Sequence, residues 1–176
     1  MQQLSRLAFH IIWVNPRKAA AGYQPLVGGM AAALPYVDTF VSGHSLRALG
    51  EVMEAIRDAT KGGVDFAFEM AGSVKAMDLA YKVTRRGGST VTAGLSHPQA
   101  IFSVPHVNIV AEERTIKGSY LGSCVPSRDI PRYIEWFQQG RLPVDRLLSE
   151  TLTLQDINAG FDRLARGASV RQVIAF

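Results

Sequence analysis

Apolar positions fall along this chain in two rhythms, and the stretch Gly62 to Gly72 shows where one gives way to the other. Its run Val64-Asp65-Phe66-Ala67-Phe68-Glu69 lies between a glycine pair and a glycine-serine step, the pattern of a short buried strand feeding a helix. Ser73 is placed to cap that helix. Val74, Met77, Leu79, Ala80 and Val83 then recur at roughly helical spacing, and Arg85-Arg86-Gly87-Gly88 supplies a cationic last turn and a glycine stop. A second strand follows from Ser89 to Gly94. Strand, helix and strand together make the βαβ element of a parallel sheet, in which ligands sit beyond the carboxyl ends of the strands.

The same reading extends outward. Phe9 to Val14 reads as a buried strand. Over 19–36 the pattern is irregular, because Pro25 and the pair Gly28-Gly29 interrupt what would be a helix; only a shorter helix from Gly29 to Leu34 is expected there. Ser45 caps a helix with the stripe Leu46, Leu49, Val52, Met53, Ile56 and Ala59, ended by Gly62-Gly63. Beyond the central unit come a loop from Ser96 to Pro105, a short helix or turn from Val107 to Glu113, and a strand from Thr115 to Leu121. Ser127 can cap a helix from Arg128 to Gln139, with Pro131 in its first turn and Tyr133, Ile134, Trp136 and Phe137 assigned to the core. Thr153 and Asp156 have capping-box spacing, with Ile157, Phe161 and Leu164 following at helical intervals, and a last strand runs from Ser169 to Phe176.

Composition narrows the class. With 176 residues, 47% apolar and 19% charged, the chain can bury one sizeable core and is too polar to span a bilayer. The faint likeness of Leu4 to Val14 to a secretory signal is broken by His10 and by Arg17-Lys18, which falls where small residues should precede cleavage. One cysteine, Cys124, excludes an intramolecular disulfide framework and points to a reducing, cytoplasmic setting. The net charge of +4 comes from scattered arginines, with no basic run interleaved with aromatics, so nucleic acid is not the expected partner.

The words GGVDFAFEMAGS, RRGGSTVTAGL, RTIKGSYLGS, INAGFDRLARG and SVRQVIAF, in this order and spacing, closely resemble the nucleotide-binding domain of zinc-dependent medium-chain alcohol dehydrogenases. The likeness runs from about Thr39 to Phe176. It implies a Rossmann-like α/β fold with a doubly wound, mostly parallel sheet, residues 1–176 forming a single, N-terminally truncated dinucleotide-binding domain. It also implies the function: part of an NAD(P)-dependent oxidoreductase passing hydride between an alcohol and nicotinamide, weak or inactive alone, or else a non-catalytic nucleotide-binding or dimerisation remnant. The strand near 115–121 is expected to pair across a homodimer axis.

Carried over position by position, the resemblance puts Met70, Ala71 and Gly72 against the ribose and pyrophosphate side of NAD or NADP. Ala93, Gly94 and Leu95 would line the nicotinamide, Ser119 and Leu121 would flank the ring, and Arg171 would pair with the pyrophosphate. Without the resemblance, the two glycines are turns at strand ends, Ser119 and Leu121 sheet residues, and Arg171 an edge charge. Coenzyme preference stays open in the same way. Where the family's second strand ends in an acid, this chain has Asn15 followed by Arg17 and Lys18, which either accommodate a 2′-phosphate or form a solvated turn.

Other family features are missing. No G-x-G-x-x-G turn occurs, no catalytic residue is assigned, and one cysteine with His10, His44, His97 and His106 at no ligand spacing gives no metal site, so zinc is expected only in the full-length relative. The first strand of the order 3-2-1-4-5-6 is also absent, and Phe9 to Val14 is therefore expected to shift inward and pair with Val64 to Glu69.

Overall fold

The computed structural model describes residues 1, 3–15, 28–42, 46–166, 168–169 and 171–176. Along them run β1 (Ile12–Asn15), α1 (Gly28–Ala33), β2 (Thr39–Ser42), α2 (Leu46–Thr60), β3 (Val64–Glu69), α3 (Val74–Val83) and β4 (Thr84–Thr92). Then follow α4 (His106–Ala111), β5 (Thr115–Gly118), α5 (Pro126–Gln138), β6 (Glu150–Leu152), α6 (Ile157–Arg166) and β7 (Gln172–Ile174). Two compact units result: a central one, Ser42–Val125, and a terminal one combining Met1–Val41 with Pro126–Phe176. The expectations resting on Arg17, Lys18, Ser45 and the stretch 19–27 lie outside the described residues.

In the central unit β3, β4 and β5 form one parallel sheet in that order. Phe66 to Glu69 pair with Ser89 to Thr92, and Ser89 to Thr92 pair with Thr115 to Gly118, so the three carboxyl ends lie level. Val52 and Ile56, four apart on α2, join Met77, Ala80, Tyr81 and Val83 of α3 and Ala67 of β3 in the core. The Thr60 hydroxyl closes α2 by donating to the Ile56 carbonyl and accepting from the Gly63 amide. Arg114 donates to the Tyr81 carbonyl and stacks over the Tyr81 ring at 4.8 Å, tying the start of β5 to the end of α3.

Several expectations change in this unit. The strand Val64 to Glu69 is half-buried, not buried: Ala67 and Glu69 face the helices, while Phe66 is 64% and Phe68 54% exposed. The period-two alternation of a strand sends neighbours to opposite faces, and α2 and α3 cover only one of them. Helix α3 stops at Val83, so Arg85 to Gly88 are not its last turn. Thr84 is already extended, and its hydroxyl donates to the Ala80 carbonyl at 2.7 Å. Arg85 to Gly88 instead bulge out between the Val64–Thr84 and Phe66–Ser89 pairs, held by Asp65 on Arg85 and by the Gly87 amide on the Glu112 carbonyl. Strand β5 ends at Gly118 instead of continuing to Leu121, because Leu121 and Gly122 turn into the left-handed region.

The terminal unit holds a two-stranded β1–β2 sheet and a parallel β6–β7 pair, with Glu150 opposite Gln172 and Leu152 opposite Ile174. The shift of Phe9 to Val14 onto Val64 to Glu69 does not occur. Residues nearer in sequence satisfy this segment: the Ile11 carbonyl accepts from the Asp38 and Thr39 amides, Asp38 Oδ2 accepts from the Ile11 amide, and the His10 ring meets the Thr39 hydroxyl. Helix α1 lies where the short helix was expected.

Helix α5 begins at Pro126, so Pro131 lies in its interior and not in its first turn. Tyr133, Ile134 and Phe137 on α5 and Phe161 on α6 are exposed rather than core. Trp136 is half-buried, with the Arg132 and Arg141 guanidinium groups each 5.4 Å from its ring. Amphipathic spacing marks a face to be covered without saying what covers it. At α6 the capping box reduces to a side-chain contact, Thr153 Oγ1 to Asp156 Oδ2 at 2.6 Å. No helix among the described residues is long and apolar enough to cross a membrane.

Candidate functional site

The level carboxyl ends of β3, β4 and β5 bring most of the sequence-derived candidates together. Met70, Ala71 and Gly72 form the turn from β3 into α3, and Ala93, Gly94 and Leu95 the turn leaving β4. Ser119 extends the end of β5, its amide donating to the Thr92 carbonyl at 2.8 Å, and Leu121 stands two residues on. Met70, Leu95 and Leu121 are 66%, 79% and 65% exposed, so this end of the sheet carries apolar side chains that no other described residue covers.

The two turns touch through their glycines. A Cβ on Gly94 would lie 2.1 Å from the Gly72 amide nitrogen, and one on Gly72 would lie 2.3 Å from the Leu95 carbonyl oxygen. Gly72 also has φ +66°, a left-handed conformation that L side chains disfavour by about 1–2 kcal/mol. These positions are thus glycine for two independent reasons, left-handed backbone at one and backbone-to-backbone contact at both. Such bare main chain at strand ends is what a flat ligand needs for close approach.

Sequence reasoning missed the residue that fastens the turns. Glu69, the last residue of β3, is 4% exposed. Its Oε1 accepts from the Ala71 and Gly72 amides, both at 2.7 Å, and from the Ser73 amide at 3.5 Å. Its Oε2 accepts from the Thr92 hydroxyl at 2.8 Å, and its main-chain carbonyl accepts from the Ala93 and Gly94 amides at 2.9 and 3.3 Å. Ser73 does stand at the N-cap position of α3, but its side chain makes no capping bond; the Glu69 carboxylate instead holds the amides of the turn that leads into the helix. A signal was present, an acidic residue ending an apolar strand just before a helix start, where negative charge is favoured by the first-turn amides.

Arg171 belongs to the terminal unit. It directly precedes β7, its side chain is exposed, and its main chain exchanges bonds with Ser149. Asn15, at the end of β1 in the same unit, is buried. Among the described residues no group of three or more His, Cys, Asp or Glu converges as metal ligands, so their donor set does not fit zinc. The glycine turns and their apolar rim do fit the flat, uncharged part of a nucleotide.

Comparison with known proteins bears on the fold and the family. The family model for zinc-binding dehydrogenases matches residues 30–139. Alcohol dehydrogenase 1 of Hordeum vulgare is 33% identical over 124 residues, covering 70% of this chain and 32% of the relative, so the chain spans about a third of the length of that curated protein. Benzyl alcohol dehydrogenase from Acinetobacter calcoaceticus superposes on 95% of this chain and 42% of its own with a TM-score of 0.72 at 22% identity. A Sinorhizobium meliloti protein solved bound to NADP covers 99% of this chain and 48% of its own, with a TM-score of 0.73 at 21% identity. At those identities the structural likeness establishes a Rossmann-like α/β fold, and with the family match over residues 30–139 it follows that the chain belongs to the zinc-binding dehydrogenase family.

Proposed function

We propose that this chain is the coenzyme-binding part of an NAD(P)-dependent alcohol dehydrogenase, with the glycine turns at Gly72 and Gly94 facing the nicotinamide nucleoside. The observation that carries the reading is the contact of those turns at the level carboxyl ends of three parallel strands, rimmed by exposed Met70, Leu95 and Leu121. In this reading Ala93, Gly94 and Leu95 line the ring, Ser119 and Leu121 flank it, and Arg171 meets the pyrophosphate with a charge-assisted bond. The bound coenzyme supplies the hydride acceptor. The chain's own residues bind and orient it, while alcohol activation belongs to the remainder of a full-length enzyme, which leaves this chain weak or inactive alone. Its setting is the cytoplasm.

The test is a titration of the purified chain with NADH and, in parallel, NADPH, following energy transfer from Trp13 and Trp136 to bound nicotinamide. Saturable binding that Arg171→Ala weakens is the expected result, and the ratio of the two affinities gives the coenzyme preference. Absence of binding to either, with the chain folded, refutes the reading.

A second reading rests on the outer edge of the central sheet. All four residues of β5 are exposed, leaving an open strand edge that a second copy can extend. The Ser119 amide faces β4 and that of Ile116 therefore points to the open edge; sedimentation showing a homodimer that Ile116→Pro dissolves supports a dimerisation role, and a monomer at all concentrations excludes it.

A further inference from the structure

Glu69 has no place in the function so far, yet it is a buried carboxylate at the centre of the candidate site. The amides of the turn that leads into α3, those of Ala71, Gly72 and Ser73, all point at Glu69 Oε1. A phosphate arriving at this turn would find its donors engaged and a negative charge behind them. Those three amides are therefore not offered to a phosphate, and the bare main chain of the turn is left for an uncharged group.

The same side chain sets the spacing of the two turns. One oxygen grips the β3 turn and the other grips Thr92 at the end of β4, while the Glu69 carbonyl receives Ala93 and Gly94. A Cβ on Gly94 would come within 2.9 Å of Glu69 Oε2, so the carboxylate lies directly beneath the place where the glycines meet.

Resting on the coenzyme reading above, we propose that Glu69 is a positioning residue: an internal anion that holds the turn leading into α3 and locks the Gly72 and Gly94 turns at the separation that admits the uncharged nicotinamide nucleoside. Its reach matters more than its charge. Glu69→Gln keeps an amide oxygen at the same distance for the Ala71 and Gly72 amides, and the Thr92 hydroxyl can reverse to accept from the new NH2 group. Glu69→Asp keeps the charge and withdraws it by one methylene, beyond reach of both turns at once.

The experiment measures Kd for NADH and for ADP with wild type, Glu69→Gln and Glu69→Asp, folding being checked by circular dichroism and thermal melting. ADP retains the adenosine and both phosphates and lacks the nicotinamide nucleoside. For NADH the expected result is a change of under about threefold in Glu69→Gln and a loss of about tenfold or more in Glu69→Asp, the scale of one or two charge-assisted hydrogen bonds. For ADP both variants match wild type. A general loosening of the fold would instead weaken both ligands together and would overturn the assignment, as would a Glu69→Asp variant that binds NADH like wild type. Should Glu69→Asp fail to fold, Thr92→Val takes its place; it removes one of the two grips and is expected to weaken NADH alone, a wild-type affinity refuting the proposal. A folded wild type that binds neither ligand overturns the coenzyme reading, and this assignment with it. Binding by wild type with indistinguishable variants overturns only the assignment.

Discussion

Replacing Gly94 by alanine adds one methyl group where the structure has no room for it. The new Cβ would lie 2.1 Å from the Gly72 nitrogen, 2.6 Å from the Gly72 Cα and 2.9 Å from Glu69 Oε2, against at least 3.4 Å for an ordinary contact. The first two neighbours are backbone, so no side chain can swing away, and the turns must part by about 1.3 Å. Glu69 resists that movement because it holds both turns through bonds of 2.7 to 2.8 Å. Overpacking of this kind costs about 1–3 kcal/mol. For a chain of this length that lowers the melting temperature by about 2–4 °C per kcal/mol, so a fall near 5 °C is expected. Because the strain falls on the turns, NADH affinity should drop more than the melting temperature suggests, while Gly118→Ala, at a glycine with open space around its Cβ position, serves as the control. Thermal melting and the fluorescence titration check both. A Gly94→Ala variant that melts within 1 °C of wild type and binds NADH equally would refute the claim that the turns touch.

Three further outcomes are expected. Thr84 and Thr90 are fully buried with hydroxyls 2.8 Å apart, so Thr84→Val strands the Thr90 hydroxyl and should cost about 1–3 kcal/mol in urea denaturation, with no change expected if the pair is solvated. Arg171→Ala should leave the melting temperature unchanged, the side chain being exposed, while weakening NADH by about tenfold or more if the proposed charge-assisted phosphate contact is made. Glu150 is held below its ordinary carboxyl value chiefly by the hydrogen bond from Arg163 Nε, with Gln172 adding a second. A depressed folded-state pKa contributes stability that is present above the unfolded value of 4.5 and lost as pH falls through the lower folded one. Melting temperature followed from pH 7 to pH 3 should therefore fall less steeply on the acid side in Arg163→Met than in wild type, and parallel curves would show that the pair contributes nothing.

Period and punctuation were enough to locate the elements. The glycine pair before Val64, the glycine-serine step after Met70 and the apolar spacing of Val74 to Val83 define β3 and α3 within a few residues, because backbone preferences and one-sided burial are local properties. The short helix expected from Gly29 to Leu34 corresponds to α1, Gly28–Ala33, although the two glycines lie within it. Family words placed Gly72 and Gly94 at one end of the sheet.

Pairing, by contrast, was decided in three dimensions. Nothing in Phe9 to Val14 states that Asp38 and Thr39 will meet its backbone groups before Val64 to Glu69 can, since which edge is nearer depends on the folded path. Periodicity showed that Phe66, Phe68, Tyr133 and Phe137 share apolar faces, but burial of a face depends on what packs against it, and those side chains stay exposed. The role of Glu69 is the clearest case. Its charge and its place at a strand end are written in the chain, whereas its grip on two turns exists only once Thr92, 23 residues away in sequence, is laid beside it by the parallel register of β3 and β4.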